Sequence, residues 1–252
     1  MSAAAGWPFL RIAHRGAAAL EPENTLRGIE TALRFGVEMV EIDTRPCKDG
    51  TLMVIHDDDL RRTAHVSGRV RDMTLAKLKR LDVGKGERIP TLEEALALIR
   101  GRALVNIDQK ADNLAPQLLR AIDRAGRREE TMLSGGAYGT FRALHDLAPA
   151  IHCAVSIGAR RRDIPRILLA RWTAAGARGQ AGRFLARARA AGTDGVTIEH
   201  WLAATGVVAR CKRAGLHVLT WTVDDLAAMR RLRAAGVDGI TSNRPDLLMQ
   251  LT

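Results

Sequence analysis

Cysteine is scarce in this chain. Cys47, Cys153 and Cys211 are three in 252 residues, widely spaced and odd in number. That excludes a disulfide framework and predicts a reducing compartment, with the cytoplasm as the expected location. Also missing is any unbroken apolar run of about 18 residues, so no membrane span is expected. The opening "MSAAAGWPFLRIAHRG" lacks a basic stretch followed by a long apolar one, so no signal peptide is expected either. A hydrophobic content of 46% sets aside disorder and collagen, and the length is ample for one large core.

Acidic residues are nearly absent from one region. Between Ile157 and Thr193 there are nine arginines and one aspartate, which supply most of the net charge of +11. Such a stretch can meet RNA, an anionic membrane surface or a phosphate-bearing substrate. A solvated face is the plainer reading, and no nucleic-acid partner is expected.

What is present is a recurring phrase in which a helical pattern ends in Gly and a short β-branched run follows at once. "ALRFGVEMVEID", "ARAAGTDGVTIE", "CKRAGLHVLTWTV" and "RRLRAAGVDGITSN" are examples. Gly suits the left-handed position that closes a helix, and helix alternating with strand through a whole chain implies a parallel sheet. Strands are predicted to end near His14, Asp43, Asp108, Ser134, Ser156, Glu199, Thr222 and Asn243. Eight βα units in this length give an α/β fold, the TIM (β/α)8 barrel, as one domain over residues 1–252. "TLEEAL" carries a capping box, Thr91 with Glu94, that marks a helix start. Between Asp43 and Thr91 the rhythm breaks: a further run, "TLMVIH", leads into a long polar excursion. Residues 57–90 are therefore expected to form a small lid-like subdomain inserted after the second strand.

Active sites of this architecture lie at the C-terminal ends of the strands. The polar residues expected there are His14, Arg15, Glu41, Asp43, His56, Asp108, Lys110, Glu199, His200, Trp221 and Thr222. Glu41 and Asp43 are two apart on one strand and so share its inner face, where two acids repel unless a cation lies between them. Oxygen ligation by Glu41, Asp43 and Asp108 suits Mg²⁺ or Ca²⁺, and zinc is the weaker reading. The plainer alternative is a salt bridge to Arg15, Arg45 or Lys110.

"AHRG" with "PENT", then "VEIDTRPCKDGTLMVIHDDDLRRT", "ERIPTLEEAL", "LVNIDQK", "VLTWTVDD" and "GVDGITSNRPDLL" resemble the glycerophosphodiester phosphodiesterase family in order and spacing. The likeness covers nearly the whole chain and is weakest from Tyr138 to Ala191. It implies a TIM barrel with an insertion after the second strand. It also implies divalent-cation-dependent hydrolysis of glycerophosphodiesters to sn-glycerol 3-phosphate and an alcohol, within lipid and glycerol metabolism. By motif, the resemblance makes His14 and His56 the catalytic pair, Glu41 and Asp43 metal ligands, and Lys110 a substrate-side cation. Asp108 stands where the family usually has Glu. "SNRP" replaces a more typical Thr-Asp-Arg-Pro, and "LSGGAYGTF" lacks the expected Ser-Phe.

The chemistry is coherent on the residues themselves. Hydrolysis of a phosphodiester must neutralise the non-bridging oxygens, activate a nucleophile and protonate a leaving alkoxide. A divalent ion with Arg15 and Lys110 suits the first task, and two histidines suit the others. The order of the histidines is open in the sequence; His14 as base and His56 as acid is the reading adopted. Trp221 is either a wall for the glycerol or alcohol group or a core residue. Asn24 is expected to cap the first helix, Glu23 either to open that helix or to orient Arg15, and Asp57 to hold the His56 tautomer. "DVGKGE" is expected to be a turn. His152 and His217 fall near strand starts, where packing is the better reading. The rival functions are a lysophospholipase D-like phosphodiesterase and a catalytically silent anion- or RNA-binding barrel protein. The complete set of histidines and carboxylates weighs against the latter.

Overall fold

A computed structural model describes residues 8–136, 138–158, 174–203 and 205–251. The strands are β1 Leu10–Ala13, β2 Met39–Pro46, β3 Leu52–Val54, β4 Leu104–Gln109, β5 Thr131–Gly135, β6 His152–Ile157, β7 Gly195–Glu199, β8 His217–Trp221 and β9 Gly239–Ser242. Between and after them run helices α1 Leu26–Phe35, α2 Arg61–Ala64, α3 Leu75–Leu78, α4 Leu92–Ile99, α5 Ala115–Ala125, α6 Tyr138–Leu147, α7 Ala174–Ala191, α8 Thr205–Arg213, α9 Leu226–Ala234 and α10 Pro245–Leu248.

Eight of the strands are parallel and close on themselves, because β1 pairs with β2 on one side and β9 on the other. This is the expected (β/α)8 barrel. Strand ends fall within a residue or two of expectation except in β2. It runs past Asp43 to Pro46 because its end zips antiparallel to β3, Thr44 facing Val54 and Pro46 facing Leu52.

Alternation sorts the side chains. Val40, Ile42, Val105 and Ile107 point outward into the main core between barrel and helices. Leu10, Ile12, Met39, Met132, Ala154 and Leu219 fill the floor of the barrel interior. Each helix gives that core one face; α1 buries Gly28, Ile29 and Ala32. Gly36 and Gly126 close α1 and α5 in the left-handed conformation, at φ 78° and 65°. The capping box of α4 is formed by Thr91 and Glu94 as expected, a cap of about 1 kcal/mol.

The cap of α1 corrects the sequence reading. Thr25, not Asn24, accepts the hydrogen bond from Gly28 N–H. Asn24 adopts a left-handed φ of 56° and turns its amide inward to Asp43.

The insertion has its own apolar cluster of Cys47, Met53, Ile55, Leu60, Ala64, Val70, Leu78, Val83 and Ile89. It leans on the loop after β1: Lys85 Nζ donates to Leu20 O and Glu21 Oε2, and Arg62 pairs with Glu23. "DVGKGE" is a turn closed by Glu87 N–H donating to Gly84 O. Of the Arg-rich segment, residues 159–173 lie outside the described residues. In α7 Ala181, Phe184, Ala188 and Ala191 are buried while Arg183, Arg187 and Arg189 are exposed, the pattern of a solvated helix face.

Candidate active site

At the C-terminal end of the barrel a cavity of about 240 Å³ is lined by His14, Arg15, Glu41, His56, Asp108, Lys110 and Trp221, together with Asn106, Ser134, Ser156 and Thr197. The floor of apolar side chains gives way here to polar ones on the same inner-facing positions. Glu41 follows Met39 and Asn106 follows Leu104, each by the two-residue step of a strand. Register does the rest: Glu41 faces Asn106 and Asp43 faces Asp108 across the β2 and β4 ladder.

Carboxylate oxygens of Glu41, Asp43 and Asp108 all come within 4.8 Å of one another. Their charges are unequally served. Asp43, fully buried, accepts from Asn24 Nδ2 at 2.8 Å and lies 3.1 Å from Arg15 Nε and 2.9 Å from Lys110 Nζ. Burial pushes its carboxyl up, yet Lys110 and Arg15 outweigh that and hold it below the usual range. Glu41 is driven well above the usual range by burial, then by repulsion from Asp43 and Asp108. Asp108 is also raised, by burial and by Asp43 in spite of Lys110 at 3.2 Å. Its Oδ1 is buried with no hydrogen-bond partner.

Three acids held together, two of them resisting ionisation and one with an orphaned oxygen, form a cluster short of positive charge. An oxygen-binding divalent cation is the group that such a set fits.

The two histidines flank this cluster with different partners. His56 Nδ1 is 2.6 Å from Asp57 Oδ1, a carboxylate, which fits the expected role of Asp57. His14 Nδ1 is 2.7 Å from Asn243 Oδ1, an amide, and its Nε2 is 4.0 Å from Glu41 Oε2. Burial lowers the His14 pKa, Arg15 lowers it further, and Asn243 only partly compensates.

Arg15 is placed by Glu23, which accepts from Nη1 at 3.0 Å. Glu23 thus orients Arg15. Arg15 also has a left-handed φ of 51°, and its backbone N–H donates to Glu41 Oε2 at 2.9 Å. Arg45, a possible partner of the acids by sequence, turns instead to main-chain oxygens, with Nε donating to His56 O at 2.6 Å and Nη1 to Lys110 O at 3.1 Å. It thereby ties together two loops that carry site residues.

Trp221 lines this cavity. His200 is exposed on a 3₁₀ turn, and neither it nor Glu199 lines the cavity. At the opposite end of the barrel His152 and His217 line a separate cavity of about 30 Å³, each near an aspartate, Asp194 or Asp238.

The sequence took Asn24 for a helix cap and did not mark out Arg62, Asn106 or Asp224 as site residues. Of these, Asn106 was within reach, since it sits two residues before Asp108 on the same inward face.

Known proteins share this chain's family and fold. A model of the glycerophosphoryl diester phosphodiesterase family matches residues 14–247. A glycerophosphodiester phosphodiesterase of Caldanaerobacter subterraneus subsp. tengcongensis is 31% identical over 257 residues, 96% of this chain and 97% of the relative. Among solved structures, an Oleispira antarctica phosphodiesterase in complex with the product sn-glycerol-3-phosphate superposes with a TM-score of 0.81 at 26% identity. That match covers 99% of this chain and 98% of the other. A glycerophosphodiester phosphodiesterase from Agrobacterium tumefaciens gives 0.76 at 26% identity, covering 96% and 99%.

Proposed function

The chain belongs to the glycerophosphoryl diester phosphodiesterase family, and on that footing we propose that it hydrolyses small glycerophosphodiesters to sn-glycerol 3-phosphate and an alcohol with the help of a divalent cation. The observation that carries this reading is the convergence of Glu41, Asp43 and Asp108 with His14, His56, Arg15 and Lys110 about one cavity.

Glu41, Asp43 and Asp108 would hold the cation, Mg²⁺ or Ca²⁺. When bound it would supply Lewis-acid neutralisation of a phosphoryl oxygen. Arg15 and Lys110, both already paired to Asp43, stand beside that position and offer N–H donors to the remaining non-bridging oxygens. His14 acts as base: Nε2 takes a proton from water as its oxygen bonds to phosphorus. His56 acts as acid and gives a proton to the departing alkoxide as the phosphorus–oxygen ester bond breaks.

The unequal partners favour this division. The Asp57 carboxylate sets a negative charge directly against the His56 ring. The neutral Asn243 amide beside His14 does not, which suits a group that must begin unprotonated. Among the described residues the cavity lining apart from its charged groups and histidines is mostly small and polar, with Ser134, Gly136, Ser156, Thr197 and Thr222 beside Trp221. That favours a small headgroup over a lysophospholipid chain. Trp221 then serves as an apolar wall for the glycerol or alcohol carbons.

Residues 57–90 serve the site as a small subdomain of lid-like position; its apolar cluster and its ties to Glu21 and Glu23 support that role. No described helix is long and apolar enough to cross a membrane. Three buried, unpaired cysteines favour the cytoplasm.

The test is incubation with glycerophosphocholine, glycerophosphoethanolamine and glycerophosphoinositol, with Mg²⁺, with Ca²⁺ and with chelator, reading released glycerol 3-phosphate. Release with an ion and its loss with chelator are expected. No release with either ion would remove the activity; release untouched by chelator would remove the cation. His14→Ala and His56→Ala should each lower turnover by about two decades or more while cation binding persists.

A further inference from the structure

His14 and Asn243 meet from opposite ends of the chain, Nδ1 to Oδ1 at 2.7 Å. Taken alone, that contact is ambiguous. An amide can present either its oxygen or its NH₂ to an imidazole, and the choice decides which ring nitrogen carries the proton.

The far side of the amide removes the ambiguity. Asn243 Nδ2 lies 2.7 Å from Asp224 Oδ2. Asp224 Oδ1 in turn accepts from the Asn243 backbone N–H and from the Ser242 hydroxyl, each at 2.8 Å. A carboxylate only accepts, so it draws the NH₂ end toward itself and leaves the oxygen for His14. Asp224 cannot swing away without losing the donors that pin it to the β9 end. Its loop follows β8, and Asn243 follows β9, so the fixed object is a contact between two neighbouring βα loops.

We propose that Asp224 is a positioning residue for the reaction: acting through the Asn243 amide, it holds His14 as the Nδ1–H tautomer and keeps the Nε2 lone pair turned toward the carboxylate cluster. The value of this arrangement for turnover rests on the reading of His14 as base, but the tautomer itself does not. Nε2 is the nitrogen that faces Glu41 Oε2, at 4.0 Å. A proton placed there would fill the position from which a base must accept one. The relay also separates orientation from charge. His56 has a carboxylate in direct contact, whereas His14 has its carboxylate one amide further off.

Two substitutions act oppositely on this relay. In Asp224→Asn the retained oxygen serves the backbone N–H and the Ser242 hydroxyl, so an NH₂ now faces the Asn243 NH₂. Asn243 must turn over, presenting its own NH₂ to His14 and favouring the Nε2–H tautomer. The exchanged pair Asp224→Asn with Asn243→Asp restores the order. The introduced amide would donate its NH₂ to the introduced carboxylate, which can only accept from His14 Nδ1–H.

The experiment is two-bond ¹H–¹⁵N spectroscopy of full-length protein labelled at histidine nitrogen, without added cation, with His14 assigned by the signals lost in His14→Ala. Wild type should show a pyrrole-type Nδ1 and a pyridine-type Nε2. Asp224→Asn should move His14 toward the reverse pattern, Asn243→Ala should give a mixture, and the exchanged pair should return the wild-type pattern. In parallel, kcat on a glycerophosphodiester should fall about ten- to hundred-fold in Asp224→Asn and recover in the exchanged pair, with KM little changed. An Nε2–H wild type, or a His14 that stays wholly Nδ1–H in both single variants, would overturn the proposal. Tautomers that shift as expected with unchanged kcat would support it and overturn the base assignment instead.

Discussion

Arg62 of the insertion and Glu23 of the first βα loop join through two hydrogen bonds, 2.9 Å from Nη1 to Oε2 and 2.7 Å from Nη2 to Oε1. The same guanidinium bonds Asp57 through Nε, and Glu23 also accepts from Arg15. One surface arginine thus stands behind the partner of a histidine and behind the partner of a phosphate-side arginine. Arg62→Ala should therefore cost little stability, about 1 kcal/mol or less because its side chain is half exposed. Its kcat/KM should still fall about tenfold. Melting curves and steady-state kinetics on one preparation separate the two effects, and unchanged kcat/KM would show that the network is only structural.

Asp57 Oδ1 lies 2.6 Å from His56 Nδ1 and sets a negative charge in direct contact with that ring. Asp57→Asn keeps the size and removes the charge, so kcat should fall about ten- to hundred-fold with KM within about twofold. A matching rise in KM with kcat preserved would point to substrate binding instead.

Glu41 gives the protein a pH dependence whose sign follows from its environment. Its folded-state carboxyl is raised well above the ordinary value by burial, Asp43 and Asp108. Above about pH 4.3 the unfolded chain has released this proton while the folded protein keeps it. Folded protein binds the extra proton, so stability falls as pH rises across that window. In chelator, wild-type Tm should decline with pH more steeply than that of Glu41→Gln, which has no proton to lose. Saturating Mg²⁺ or Ca²⁺ should raise wild-type Tm and affect the variant less, with about 2.7 kcal/mol at a hundred times Kd for a fully retained site. Parallel pH curves for the two proteins would contradict this account.

Gly135 ends β5 at φ 133°, and a Cβ there would stand 2.7 Å from Gln109 O and 3.1 Å from Asp108 Oδ1. Gly135→Ala should cost about 1–3 kcal/mol in denaturant unfolding. It should also weaken cation binding, because Gln109, whose Cγ would be 2.9 Å away, must shift and the adjoining Asp108 carboxylate is crowded with it. Wild-type cation affinity in a destabilised variant would separate the strain from the site.

Much of the fold was open to reading because it is local. The step of two along β2 places Glu41 and Asp43 on one face whatever the rest of the chain does, and Gly36 closes α1 because a left-handed residue suits glycine. His14, His56, Asp108 and Lys110 were found by the same rule, as polar residues at strand ends in a barrel whose sites gather there. Asn24 was misread for the same reason: a residue ahead of a helix looks like its cap, and its real partner, Asp43, is on another strand. Arg45 looked like a counter-ion for the acids, yet its reach was taken by two carbonyl oxygens.

Periodicity and strand length alone give the order of βα units, the insertion after β2 and the identity of the residues delivered to the rim. Which side chains stand beside which is a matter of long-range packing. Closure of β1 against β9 brings Asn243 to His14 across 229 residues, and docking of the insertion brings Arg62 to Glu23 across 39. Such pairings depend on register and barrel closure. These are set by the packing of the whole core, and no short stretch of chain contains them.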